Sequence, residues 1–348
     1  MFKHFCAGLA AVLAFAAPAA AQTPLFSDNS ELAITIEAPF TTLLRTARRS
    51  ADPHPGALVL DGARYNLLVS PRGMSRRIGG ICAFPPLRID FENNELRDTV
   101  FRGQNRLKLT THCRPTDSYT QLYVTEYLAY RLFNEITPFS FRARPLRVTY
   151  RDVEGRRRDE TQFGFFIEDD DDLARRNNRI ALEIETRTVT VSQLDNAAAA
   201  RVALFAYMVG NLDWDMLQSA AGRDCCHNVR LLAASETARS GIVPVPYDFD
   251  HSGLVNAPYA VPPEGLPARN VRDRLYRGYC AHNDQLPAAI AHFQARRDAL
   301  NAAIAAETRL SEGRRQTARR YIDSFFEVIG NPEAVQRELT GRCRNVSG

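Results

Sequence analysis

The stretch 205–253 constrains the fold of this chain more than any other, because polar residues follow each of its apolar runs. An apolar, helix-like run over 197–209 comes first and ends in a tight polar segment. Two apolar runs at 229–232 and 242–247 follow, and the polar turn between them is typical of a β-hairpin. The sequence therefore predicts a helix, a polar loop and a hairpin in succession, with polar side chains presented where these elements begin or end.

Three of these polar side chains have the character of metal ligands. Asp248 and Asp250 are two residues apart, so on an extended backbone they point to the same face. Together with the amide oxygen of Asn228 they form a set of hard oxygen ligands, which suits Mg²⁺ or Mn²⁺ better than zinc. Asp213, in the preceding loop, could then orient a hydroxyl group, as phosphoryl transfer requires. The alternative is that these residues are ordinary cap and turn residues.

Three short motifs in this stretch resemble a known family. Gly-Asn-Leu-Asp-Trp at 210–214, Asn228 before an apolar strand, and Pro-Tyr-Asp-Phe-Asp at 246–250 resemble the spore-coat protein H family of atypical protein kinases. They are also similar, more distantly, to HipA-like kinases. The resemblance implies a kinase-like fold with Asp213 as the catalytic aspartate, and with Asn228 and Asp248 as metal ligands. In one respect the chain departs from the pattern: Asn228 follows Asp213 by 15 residues, whereas kinase catalytic loops leave about five.

The segment 56–113 is predicted to be β-rich, because its short apolar runs are separated by Gly, Pro and Asn. Within it, Pro-Arg-Gly-Met-Ser at 71–75 resembles an Arg-Gly-x-Ser element of the same family. The resemblance implies that Arg72, Gly73 and Ser75 hold the phosphates of a nucleotide, with backbone N–H groups of a glycine turn assisting. The alternative is a hairpin glycine without a ligand.

Lysine is rare in this chain. Only Lys3 and Lys108 occur among its 44 basic residues, and a compact ammonium is the form commonly used to hold nucleotide phosphates. A helix predicted over 119–136 places Glu126 in an apolar stripe, where a carboxylate needs a partner. A kinase-like site would use Lys108 on the phosphates and Glu126 to orient it. The alternatives are a surface lysine and a structural ion pair.

The first 21 residues have the pattern of a secretory signal. Lys3 gives a positive start, 9–15 an apolar core, and 19–21 a small-residue cleavage site. The apolar run is too short for a membrane span. We therefore expect an exported protein, periplasmic or secreted, without a membrane span.

Cysteine usage agrees with export. Six cysteines follow the signal segment: Cys82, Cys113, Cys225, Cys226, Cys280 and Cys343. An even number in an oxidising compartment favours disulfides. Since two cysteines lie in the first part and four in the second, pairing within each part is the simplest arrangement.

Composition and absent motifs exclude several classes of function. The formal net charge of +4 over 348 residues is too small to indicate a nucleic-acid partner. The chain lacks G-x-x-x-x-G-K-[ST], G-x-S-x-G and G-x-G-x-x-G. These absences argue against a P-loop NTPase, a typical α/β-hydrolase and a Rossmann cofactor site.

Together these patterns predict an α+β, bilobal protein-kinase-like fold, with a β-rich N-lobe at 22–168 and a mainly helical C-lobe at 169–348. The predicted function is exported phosphotransfer, with ATP and Mg²⁺ or Mn²⁺ as cofactors. The phosphoacceptor would be a protein or a small molecule bearing a hydroxyl group. Because a periplasm is not expected to supply ATP, the alternative is a non-catalytic kinase-fold envelope protein that acts in binding or scaffolding.

Overall fold

The computed structural model of the chain describes residues 24–91, 96–184, 189–219 and 225–346. The predicted signal segment at 1–21 lies outside these described residues. The first part of the described chain is mainly β, and the second is mainly helical.

Seven strands of the first part close into a mixed β-barrel. They are β1 (Leu32–Ala38), β2 (His54–Leu60), β3 (Ala63–Pro71), β4 (Leu87–Phe91), β5 (Arg106–Thr110), β6 (Ala143–Asp152) and β7 (Glu160–Ile167). Around the barrel they follow the order β1-β2-β3-β4-β5-β7-β6. All neighbours are antiparallel except β1 and β6, which pair in parallel from Leu32↔Leu146 to Ala38↔Asp152.

This closure makes the prediction of a bilobal protein-kinase-like fold wrong. The interpretation of the sequence omitted β1, in which Ile34, Ile36 and Ala38 alternate with more exposed residues and point into the barrel. Because β1 pairs with β2 on one side and with β6 on the other, the sheet closes on itself. The barrel also has an apolar core of its own. The chain is thus an α+β protein built around a closed barrel.

Besides the barrel, the described residues form a small sheet and a set of helices. The sheet has the order β10-β9-β8, and its strands are β8 (Ile180–Ala181), β9 (Val229–Ala233) and β10 (Val243–Pro246). The helices are α1 (Phe40–Thr46), α2 (Asp117–Ile136), α3 (Asp170–Arg176), α4 (Asn196–Val209), α5 (Leu286–Ala295), α6 (Arg297–Ala306), α7 (Glu312–Ile329) and α8 (Pro332–Glu338). Within the described ranges, none of them has both the length and the apolar character of a membrane span.

Helix α2 positions the centre of the site. It packs against β7 of the barrel and against α6, and its side chains belong to the same apolar core as those of α4, α7 and the β9–β10 hairpin. Enclosure from both sides explains why Glu126 on this helix is fully buried. The predicted helices at 119–136 and 197–209 are confirmed to within two residues at each end.

Three disulfides join cysteines of the described ranges: Cys82–Cys113, Cys225–Cys226 and Cys280–Cys343. The first lies in the β-rich part and the other two in the helical part. This is the pairing within each part that the distribution of cysteines favours.

Candidate functional site

The open end of the β9–β10 hairpin brings Asn228 close to Asp248. Pro246 pairs with Val229 in the hairpin, and the N–H of Tyr247 donates to the carbonyl of Asn228 at 3.0 Å. Asn228 and Asp248 both adopt left-handed backbone conformations, with φ of 51° and 61°. Asn and Asp tolerate this region better than most other non-glycine residues. The two residue types therefore allow the hairpin to end in two sharp turns.

Asp213 reaches the same place from the other direction. Helix α4 ends at Gly210 in the left-handed region, and a Cβ at that position would meet the hydroxyl of Tyr321. Beyond this turn, the N–H of Asp213 donates to Oδ1 of Asn211 at 3.0 Å. The Nδ2 of Asn228 donates to Oδ2 and to the carbonyl of Asp213, at 3.1 and 2.8 Å. The structure therefore brings together Asp213 and Asn228, both of which the sequence singled out.

His227 completes this group. Its Nε2 lies 2.6 Å from Oδ1 of Asp213. Burial raises the pKa of Asp213, but the hydrogen bond and charge of His227 oppose it, and the charge of His251 adds to their effect. The net result is a pKa for Asp213 below its ordinary value. Asp213 is thus held as a carboxylate and oriented by two neighbours.

Arg76 is the centre of a buried cluster of carboxylates. Its Nη2 donates to Oδ1 of Asp248 at 2.6 Å and its Nη1 to Oε2 of Glu126 at 3.2 Å. Its Nε lies 3.4 Å from Oδ2 of Asp250. The Arg76 side chain is 6% exposed, whereas that of Asp248 is 38% exposed and opens the cluster to solvent. One guanidinium thus bridges all three carboxylates.

Tyrosines complete the surroundings of the cluster. The hydroxyl of Tyr259 donates to Oδ2 of Asp250 at 3.1 Å, and that of Tyr130 accepts the N–H of Asp248 at 2.9 Å. Burial raises the pKa of Glu126 to about 8 and also raises that of Asp250, although the charge of Arg76 lowers both. Burial therefore opposes ionisation of these two acidic groups more strongly than the single bridging arginine favours it.

The donor set fits a hard divalent cation. Ligand oxygens of Glu126, Asp248 and Asp250 all lie within 4.8 Å of one another. Among the described residues, Oε1 of Glu126 is buried and has no hydrogen-bond partner. Carboxylate oxygens without thiolate or imidazole ligands favour Mg²⁺, Mn²⁺ or Ca²⁺ over zinc. These three residues could hold such an ion.

Lys108 does not meet Glu126. Its Nζ contacts Oδ1 of Asp170 at 2.7 Å, and the other oxygen of Asp170 accepts from Arg230 at 2.6 Å. The partner of Glu126 is Arg76 instead. The structure therefore places Lys108 in an ion pair beside the site, next to Arg230, which stacks on Tyr247.

The remaining predicted phosphate ligands lie on the loop between β3 and β4. Gly73 and Ser75 are exposed, and Gly73 has a φ of 88°. Arg72 is partly buried, and its guanidinium interacts electrostatically with Asp248 and Glu126. Its Nε is buried and has no hydrogen-bond partner within the described part of the chain. Of the three, Arg72 is the one at the carboxylate cluster.

Sequence reasoning missed Arg76 and His227 as members of the site. Arg76 directly follows the motif at 71–75, and His227 directly precedes Asn228. Position next to a candidate residue was the signal that could have identified both. No protein-family model matches this chain, and a search of curated proteins found no significant match.

Proposed function

We propose that the protein is an exported, metal-dependent phosphotransferase that moves a phosphoryl group from ATP to a hydroxyl group of a protein or a small molecule. The observation that carries the proposal is the meeting of Asp213 and Asn228 at the hairpin end that also presents Asp248. A separate carboxylate for the acceptor and an oxygen set for the metal are what this reaction needs. The proposal rests on this site and not on a kinase fold.

The metal would be held by Asp248 together with the amide oxygen of Asn228. The Nδ2 of Asn228 is engaged by Asp213, so Oδ1 would be its ligand atom for a cation. Asp250 lies deeper, with its side chain only 4% exposed. Mg²⁺ or Mn²⁺ bound there would supply charge neutralisation for the phosphate oxygens.

Arg72 would bind the phosphates, with Gly73 and Ser75 at the exposed side of the same loop. A guanidinium with an unsatisfied buried Nε suits a phosphate oxygen, because charge-assisted hydrogen bonds are short and strong. Lys108 would bind the phosphates only after its ion pair with Asp170 breaks.

Asp213 would align the acceptor hydroxyl. Its low pKa keeps it charged at neutral pH, and His227 and Asn228 fix its direction. An oriented carboxylate of this kind positions the attacking oxygen.

Calorimetry with ATP and Mn²⁺, followed by a phosphotransfer assay, tests the proposal. We expect Asp248→Asn to abolish Mn²⁺-dependent ATP binding, because it removes an anionic ligand and keeps the side-chain shape. Asp213→Asn should bind ATP like the parent but lower transfer by at least 100-fold, within the range for general acid–base groups. Asp298→Asn, an exposed change on α6, is the matched control. ATP binding that is unchanged in Asp248→Asn would contradict the assignment of the metal site.

A second candidate function is a non-catalytic envelope protein that uses this site for binding or scaffolding. The observation that favours it is Arg76, which already supplies a cation to all three carboxylates. This candidate predicts a folded chain that binds neither Mn²⁺ nor ATP in the same calorimetric experiment.

A further inference from the structure

Arg76 occupies the position that a metal ion would need. It contacts all three carboxylates of the cluster, at 3.2, 2.6 and 3.4 Å. We infer that Arg76 is an internal cation that competes with a divalent metal for Glu126, Asp248 and Asp250. The protein then has an arginine-closed state and a metal-loaded state, and Glu126 is a metal ligand in the second.

The charge of the cluster supports this exchange. Three acidic side chains face one guanidinium at hydrogen-bonding or ion-pair distance, and a divalent cation has twice the charge of Arg76 with which to hold all three as carboxylates. Glu126 is fully buried, and within the described residues its Oε1 has no partner. A buried carboxylate oxygen without a hydrogen bond is costly. A metal ion that binds Glu126 through this atom would remove that cost.

The loop that carries Arg76 is built so that it could release the side chain. The loop connects β3 to β4, and its outer side chains Met74 and Ile78 are 50% and 46% exposed. Cys82 at its far end is fixed to Cys113 by a disulfide. The N–H of Cys82 also donates to the carbonyl of Arg76 at 3.1 Å, so the inference requires the Arg76 side chain to swing outward while its backbone stays in place.

This inference shares the ligand Asp248 with the metal site of the proposed function, and it rests on that function only in taking the bound cation as the one used in catalysis. Binding of Mn²⁺ in the absence of nucleotide can therefore be measured separately, by electron paramagnetic resonance of the free ion. The variant Arg76→Gln removes the internal cation. Arg77→Gln is the matched control, because Arg77 contacts the carbonyls of Gly73 and Ala47 and not the carboxylates.

We expect Arg76→Gln to bind Mn²⁺ at least tenfold more tightly than the parent, and Arg77→Gln to bind like the parent. Adding Glu126→Gln to Arg76→Gln should reverse most of the gain. If the parent binds Mn²⁺ and Arg76→Gln binds it no more tightly, the inference is overturned while the proposed function stands. If no variant binds Mn²⁺, both fail. Tight binding by Arg76→Gln, without phosphotransfer by the parent, upholds the inference and overturns the proposed function.

A measurement on the parent protein decides the question should Arg76→Gln not fold. Trypsin cleaves after arginine, and Arg76 is shielded while it holds the carboxylates. Saturating Mn²⁺ should accelerate cleavage of the Arg76–Arg77 bond several-fold relative to cleavage of the Arg77–Ile78 bond, because it drives Arg76 into solvent. Cleavage that is unchanged or slower in Mn²⁺ would overturn the inference.

Discussion

Arginine is the cation that meets the buried carboxylates in this protein. Arg76 bridges Glu126 and Asp250 within the candidate site. Away from it, Arg176 donates to both oxygens of the buried Glu168, at 2.8 and 3.0 Å. A planar guanidinium presents several donors in a fixed geometry, so one side chain can satisfy more than one carboxylate oxygen. This explains how acidic residues can be buried in a chain that has almost no lysine.

His112 is a buried basic group whose acidic neighbour, Glu160 at 3.4 Å from Nε2, does not keep its pKa from falling. It is 1% exposed and its ring packs on Phe84 and Tyr150. Burial, aided by the charge of Arg157, lowers its pKa from 6.5 to about 4. The unfolded state therefore binds a proton more readily than the folded state. The contribution of neutral His112 to the free energy of unfolding is therefore fully present above pH 6.5, and it is lost as the pH falls towards 4.

We expect protonation of His112 to lower the free energy of unfolding by about 3 kcal/mol between pH 7 and pH 4, since each pKa unit corresponds to about 1.4 kcal/mol. Urea unfolding of the parent and of His112→Gln at pH 7 and pH 4 measures the effect. The free energy of unfolding should fall less between the two pH values in the variant. An equal fall in both proteins would show that His112 is not a source of the acid sensitivity.

At this scale the sequence allowed about half of the site to be predicted. Asp213, Asn228 and Asp248 were recognisable because each follows or precedes an apolar run, and Glu126 because it interrupts an apolar stripe. Arg76 was missed because it is one of 42 arginines, and only its place directly after the motif at 71–75 distinguishes it. The partner of Glu126 is set by a contact between positions 50 residues apart, which no local pattern contains.

The element that determines the fold is β1. Its two edges pair with β2 and β6, and its inward side chains Ile34 and Ile36 are 3% and 0% exposed. The alternation of these residues was a usable signal for a strand. The parallel pairing with β6 could not be predicted from a local pattern, because it joins Leu32 to Leu146 and depends on how the whole sheet curves. Helices α2 and α4 and the β9–β10 hairpin, in contrast, were predictable from local patterns alone.

Truncation of one inward side chain tests the closure of the barrel. Ile36→Ala should lower the free energy of unfolding by about 2–4 kcal/mol, as large-to-small changes in a packed core do. Thr35→Ala, on the outer face of the same strand, is the control and should cost at most about 1 kcal/mol. Both are measured by urea unfolding. Similar costs for the two variants would show that β1 does not contribute an inward face.

For the whole molecule, the disulfides restrict the chain to different extents. Cys82–Cys113 encloses a separation of 31 residues and Cys280–Cys343 one of 63. The second also holds the C-terminal segment, where Arg344 reaches Oδ2 of Asp215 at 3.0 Å. Cys225 and Cys226 are adjacent, so their bond encloses no loop. Disulfides in general are typical of proteins that fold in an oxidising compartment, and their presence supports the proposed export.

The stabilities of three double variants should follow the lengths of these loops. A disulfide stabilises mainly by reducing the entropy of the unfolded chain, and the effect grows with loop length. We expect Cys280→Ser with Cys343→Ser to lower the free energy of unfolding by about 4 kcal/mol, and Cys82→Ser with Cys113→Ser by slightly less. The pair Cys225→Ser with Cys226→Ser should lower the free energy of unfolding least, because its bond closes no loop.

Urea unfolding gives the three values. Thiol titration of the denatured, unreduced parent beginning at residue 22 should find no free thiol. Four or more free thiols, or a largest loss in the adjacent pair, would contradict the view that a long-range disulfide stabilises each of the two parts of this molecule.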